Sequence, residues 1–140
     1  MTAFVTRGEW TPAQVDGVAA LLLDPDFNGG TESDLTVSQV AAAIPLDAPA
    51  WGIFEGGRCL FVVGLNPFEW NPEMTRMRGI LHVAGTREYP EAWRVVAAFI
   101  EALPGVEIMT LTNNPALIRL ARRAGLNPLT EQDGYTVLGR

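Results

Sequence analysis

Residues 106–126 read VEIMTLTNNPALIRLARRAGL, and this stretch decides the fold. Val106–Thr112 is a short β-rich run. Asn113-Asn114-Pro115 then has the form of a helix start: a side-chain cap followed by proline in the first turn, where its missing N–H breaks no intrahelical bond. Leu117, Leu120, Ala121 and Ala124 recur at helical spacing and form the apolar face. Arg119, Arg122 and Arg123 gather toward the C-terminal end, where cations complement the helix dipole. Gly125 supplies a left-handed stop. A strand running into a capped, glycine-terminated helix is expected, with a final strand at about 134–138.

Upstream, Pro90–Leu103 carries Trp93, Val96, Ala97 and Ile100 at helical spacing, and Ala92, Val95 and Phe99 widen the stripe. Trp93 is expected to pack into the core through that stripe, with Glu88 and Glu91 solvated. A helix between two strands requires a crossover, so the strands on either side of it should be parallel. The earlier strand is Arg76–Gly85, where Met77, Gly79, Leu81 and Val83 face one way and Arg76, Arg78, Ile80 and His82 the other. Trp51–Glu55 and Arg58–Asn66 are strand-like runs joined by Gly56-Gly57, a hairpin signal, and Pro67–Met74 reads as a loop. Thr11-Pro12-Ala13-Gln14 and Thr36…Gln39 are capping boxes that open two helices. The first helix has Val15, Val18, Ala19 and Leu22 on one stripe, and the run Ala3–Thr6 before it is a strand. The order is β-α-α-β-β-β-α-β-α-β. This is an α/β (α+β) chain with a mixed, mostly antiparallel sheet, helices on both faces and one domain over residues 1–140.

The composition excludes several chemistries. The ten basic residues are all arginines, against sixteen acids, for a net charge of −6. Without lysine there is no Schiff-base or Walker-type phosphate lysine. A single cysteine, Cys59, rules out an internal disulfide, and with the single histidine, His82, leaves too few ligands for structural zinc. Residues 1–60 hold Arg7 and Arg58 against eight acids, whereas residues 61–140 hold eight of each. No basic stripe offers a phosphate backbone a place to lie, so nucleic acid is not an expected partner. No apolar run approaches the roughly 20 residues of a membrane span, and no signal-peptide pattern opens the chain. The expected setting is soluble, either cytoplasm or virion.

The element order, and Asn114…Leu120…Gly125-Leu126 in the last helix, resemble the GNAT N-acetyltransferase superfamily, whose corresponding helix often reads N-x-x-A-x-x-L-Y-x-x-x-G-F. The resemblance covers most of the chain in element order but only its last third in residues. It implies an acetyl-CoA site whose pyrophosphate sits on a Q/R-x-x-G-x-G/A loop and the helix N-terminus that follows. Counted from the strand, the basic position falls on Glu88 and the glycines on Glu91 and Trp93. The tyrosine that protonates the departing thiolate in many members aligns with Ala121, which has no proton to give. The general base in the family is often a glutamate or a held water. The candidate here by strand position is His82, a residue type able to titrate near neutral pH, with Tyr89 and Tyr135 as substitute acids.

Two functions follow from the resemblance. One is a GNAT-like fold without catalysis or cofactor, working as a structural or interaction protein in the manner of the small acetyltransferase-like virion proteins of tailed podophages. Its partners would be proteins of an assembly. Its candidate contact is Phe68 and Trp70, aromatic anchors between Pro67 and Pro72, although Trp70 could equally fold back onto the sheet. The other is an active N-acetyltransferase that binds acetyl-CoA in a pantetheine-led mode along Val83, Ala84 and Gly85, with Asn114 on the opposite strand end.

Overall fold

The computed structural model describes residues 3–24, 34–44, 49–71, 76–86 and 89–140, with side chains from residue 8 onward except at 66–71 and 76–78. The elements are β1 (Ala3–Thr6), α1 (Pro12–Leu22), α2 (Val37–Ala43), β2 (Ala50–Glu55), β3 (Arg58–Asn71), β4 (Arg76–Gly85), α3 (Ala92–Glu101), β5 (Val106–Thr112), α4 (Pro115–Arg123), β6 (Asn127–Gln132) and β7 (Tyr135–Gly139). The strand order is β1-β2-β3-β4-β5-β7-β6. Two compact units divide the chain: residues 1–64 with 83–90, and residues 65–82 with 91–140. β3 and β4 contribute to both.

The first unit is organised by its helix starts. Gln14 N–H donates to Thr11 Oγ1 at 3.2 Å and Thr11 N–H to Gln14 Oε1 at 2.8 Å. The same reciprocal pair recurs at Thr36 and Gln39. Both capping boxes satisfy donors that a helix start would otherwise leave to water. α1 then buries Val18, Ala19 and Leu21. Val18 and Leu21 pack with Trp10, Phe54, Cys59, Val62 and Ala84, with Val15, Leu22, Ile44 and Ala50 around the margin. Trp10 and Phe54 pack edge to face, ring centroids 5.5 Å apart at 78°, the arrangement that brings ring edge to ring face. β1 and β3 both pair antiparallel with β2.

In the second unit β4 and β5 are parallel, from Met77↔Val106 to Ile80↔Met109, as the intervening helix requires. α3 is amphipathic and buries Ala92, Val95, Val96, Phe99 and Ile100. Three expectations need correction here. The helix begins at Ala92 rather than Pro90, because Glu91 at φ −96°, ψ 24° lies outside helical geometry. Trp93 is not a core residue. It lies beside the buried stripe, half-buried, with the Arg123 guanidinium 4.3 Å and the Arg94 guanidinium 5.3 Å from its ring centroid. Residues 67–71 do not form a loop, because they continue β3. The sequence there alternates apolar and polar residue types, a period of two that suits a strand despite Pro67, and residues 72–74 of the expected loop lie outside the described residues.

Asn114 and Gly125 bound α4 as expected. Asn114 Oδ1 accepts from Ala116 N–H at 2.9 Å, and Gly125 has φ 108°. The structure adds β6, which pairs antiparallel with β7 through a turn in which Asp133 and Gly134 have φ 51° and 83°. Two consecutive positive φ values match the right-handed twist of a two-residue hairpin, and Asp-Gly accepts them readily. Arg140 closes the unit. Its N–H donates to the Ile108 carbonyl at 3.0 Å, and its guanidinium donates to the Ile100 and Leu103 carbonyls at 3.3 Å each. Ile100 lies in the last turn of α3 and Leu103 just beyond it, at the helix end where a cation is favoured.

Candidate functional site

The segment that leaves β4 belongs to the first unit and is held against the start of β3. Thr86 N–H and Thr86 Oγ1 both donate to the Leu60 carbonyl, at 2.9 and 3.2 Å. Tyr89 N–H donates back to the Thr86 carbonyl at 3.3 Å. The Tyr89 ring stacks on Phe61, centroids 6.1 Å apart at 23°. Gly85 lies against the same ring, and a Cβ built there would stand 2.7 Å from Phe61 Cδ2, closer than side-chain atoms pack. Glycine at 85 thus makes room for the protein's own aromatic ring. Val83 is half-buried and Ala84 buried. Nearby, α1 (Gly17, Ala20), Asp24 just beyond its end, the β2–β3 hairpin (Gly57, Arg58) and Thr86 line a cleft of about 410 Å³. Its wall includes Cys59, buried with its thiol directed at the Phe61 carbonyl at 3.3 Å. Burial pushes that thiol up to about 12, so it is a packing group and not a nucleophile.

In the second unit the β4–β5 ladder stops at Ile80↔Met109, although both strands continue. Immediately beyond, Thr110 Oγ1 donates to the Leu81 carbonyl at 3.1 Å, a side chain standing in for a ladder bond. The parallel strands therefore part at Leu81–His82 and Thr110–Thr112. β5 is held on its other edge by β7, from Met109↔Gly139 to Thr112↔Thr136. His82 is exposed at this parting, and partial desolvation by its surroundings keeps its imidazole below the ordinary value. Glu91 caps α3 without any side-chain hydrogen bond and pairs instead with Arg94 at 3.6 Å, both largely exposed.

No protein-family model and no curated protein sequence matches the chain. Solved structures match along its whole length. A GNAT-family acetyltransferase from Streptococcus pneumoniae matches with TM-score 0.68 at 13% identity, over 100% of this chain and 98% of that one. The Campylobacter jejuni N-acetyltransferase PseH, solved with acetyl coenzyme A, gives 0.62 at 8%, over 100% and 98%. The Salmonella typhimurium yncA structure, solved with its cofactor acetyl-CoA, gives 0.71 at 9%, over 99% and 92%. The chain has the GNAT acetyltransferase fold.

The residues singled out from sequence divide between the two units. Val83, Ala84, Gly85 and Tyr89 lie in the first unit, and Tyr89 is engaged with Phe61. His82, Asn114 and Tyr135 lie in the second. Asn114 is occupied as the α4 cap, and its own N–H donates to Thr112 Oγ1 at 3.1 Å. Tyr135 is 41% exposed at the start of β7, opposite Gln132 in the hairpin. Ala121, the counterpart of the family tyrosine, is buried at 3%. The side chains of Phe68 and Trp70, and residue Glu88, lie outside the described residues. Among the described residues no group of His, Cys, Asp and Glu could hold a metal ion, and no helix is long and apolar enough to cross a membrane. Sequence reasoning missed Phe61, Thr86 and Arg123, whose contacts are made across elements and leave no local signature.

Proposed function

We propose that this chain is a GNAT-fold interaction protein that does not catalyse acetyl transfer, and that its partners are proteins of an assembly such as a phage virion. The observation that carries the reading is the segment between β4 and α3. Phosphate binding there needs small residues whose backbone a ligand can approach. The one glycine in place, Gly85, faces the Phe61 ring, while Pro90 removes a donor and Glu91 sets an exposed carboxylate at the helix start. These residues do not fit a CoA pyrophosphate. Ala121, apolar and buried, supports the same conclusion for the acid that would protonate a thiolate.

A second reading, an acetyltransferase with an atypical cofactor site, takes its support from the fold alone. Isothermal calorimetry with acetyl-CoA separates the two. The interaction protein should give no heat of binding up to millimolar ligand. Micromolar affinity would overturn the proposal in favour of the enzyme, and no detectable binding would dispose of the enzyme. The virion assignment rests on the Asn114…Leu120…Gly125 pattern combined with the lack of a glycine-rich loop after β4. Finding the protein in purified phage particles would support it, and finding it only as a free cellular protein would defeat it.

A further inference from the structure

α4 carries three arginines and no acid. Arg119, Arg122 and Arg123 are spaced i, i+3 and i+4, so they share one face, and all three are exposed. Neither Arg119 nor Arg122 forms an ion pair with a described residue. The helix dipole accounts for Arg122 and Arg123 in the last turn, but Arg119 lies before that turn. Like charges at this spacing repel one another, so the face is unfavourable on its own and becomes favourable with an anion upon it. Arg123 is also pre-organised. Its guanidinium sits 4.3 Å from the Trp93 ring centroid, against a half-buried aromatic on the neighbouring helix. An aromatic ring engages the face of a guanidinium and leaves its in-plane N–H fork for a carboxylate. Arg94, on the same tryptophan, is already neutralised by Glu91.

We infer that the Arg119/Arg122/Arg123 face of α4, with Arg123 steadied on Trp93, docks an acidic peptide segment of a protein partner. The inference rests on the interaction-protein reading above and names the chemistry of the partner. Charge complementarity selects the occupant. The face offers three guanidiniums within two helical turns, enough for a few carboxylates. The chain as a whole carries −6, which repels an extended polyanion such as a nucleic acid.

The test uses the whole chain and a fluorescein-labelled hexaglutamate peptide, read by anisotropy at about 20 mM and about 150 mM salt. Saturable binding is expected at the lower salt, weakening at the higher. Arg122→Glu should weaken it about three- to fivefold, while Arg58→Glu, the same charge change in the first unit, should alter it less than about twofold. Arg123→Lys keeps the charge but loses the planar fork, and should also weaken binding. Both α4 variants are exposed substitutions whose unfolding temperatures should stay near that of the parent. No peptide binding, or equal losses from Arg122→Glu and Arg58→Glu, would overturn the inference. So would tighter binding of a DNA oligonucleotide of the same charge. Displacement of the peptide by acetyl-CoA would instead defeat the non-catalytic reading, whereas silence toward both ligands defeats this inference alone.

Discussion

Helix α4 begins with its hydrogen bonds closed, and helix α3 of the same unit begins with its amides uncapped. At α4, Asn114 lies in extended geometry (φ −84°, ψ 116°) and its side chain accepts from Ala116. At α3, Glu91 lies at φ −96°, ψ 24°, and its carboxylate engages Arg94 instead of the backbone. A side-chain cap needs the extended conformation for its oxygen to reach the second or third amide. The contrast is therefore one of backbone as much as of residue type. It shows why α4 is legible in a motif while α3 is not. A capped start is specified by three adjacent residues, but an uncapped one takes its character from whatever lies nearby.

The largest effect that bears on this contrast concerns the buried side of α4. Ala121→Tyr, which introduces the tyrosine of the resembled GNAT pattern, forces a phenol into a position only 3% exposed. Overpacking of this kind should destabilise by about 1–3 kcal/mol in urea unfolding. An unchanged midpoint would mean that α4 has room for a catalytic phenol. The next effect compares the two starts directly. Asn114→Ala should cost about 1 kcal/mol by removing the cap, whereas Glu91→Ser should change stability by less than about 0.5 kcal/mol, because residue 91 is not extended. A gain near 1 kcal/mol from Glu91→Ser would erase the distinction.

The smallest effect belongs to His82, at the parting of β4 and β5. Its imidazole holds a proton less tightly in the folded chain than in the unfolded one, because partial desolvation disfavours the charged form. Its contribution to stability is therefore present above the ordinary histidine pKa of about 6.5 and is lost as pH falls through the lower folded value. Thermal unfolding of the parent between about pH 7.5 and pH 5 should show a shallow acid-side decline that His82→Gln flattens. Identical slopes would mean that the imidazole is as solvated in the native state as in the unfolded chain.

Much of the fold was legible. Thr11…Gln14 and Thr36…Gln39 announced two helices and both form capping boxes. Gly56-Gly57 announced the β2–β3 hairpin, and a helix between two strands announced the parallel pairing of β4 with β5. β6 was missed, because Pro128 and six exposed residues hide the period of a strand even though Asp133-Gly134 marks its turn. The candidate site was less legible. His82 and Asn114 were placed on the right elements, but the partners that define Gly85, Tyr89 and Trp93 were not foreseen.

The chain by itself determined what depends on neighbours within a few residues: helix starts, glycine stops, the two-residue turn, and the alternation that makes β4 a strand. These are set by backbone hydrogen bonds and allowed dihedrals, and both are local quantities. Tertiary structure decided what depends on contacts distant in sequence. It set Phe61 against Gly85 and Tyr89, Arg123 on Trp93, and Arg140 across the end of α3. In each case, a side chain took its role from a surface supplied by another element. An apolar tryptophan on a helix reads as core until an arginine from elsewhere offers it a partner at the boundary with water.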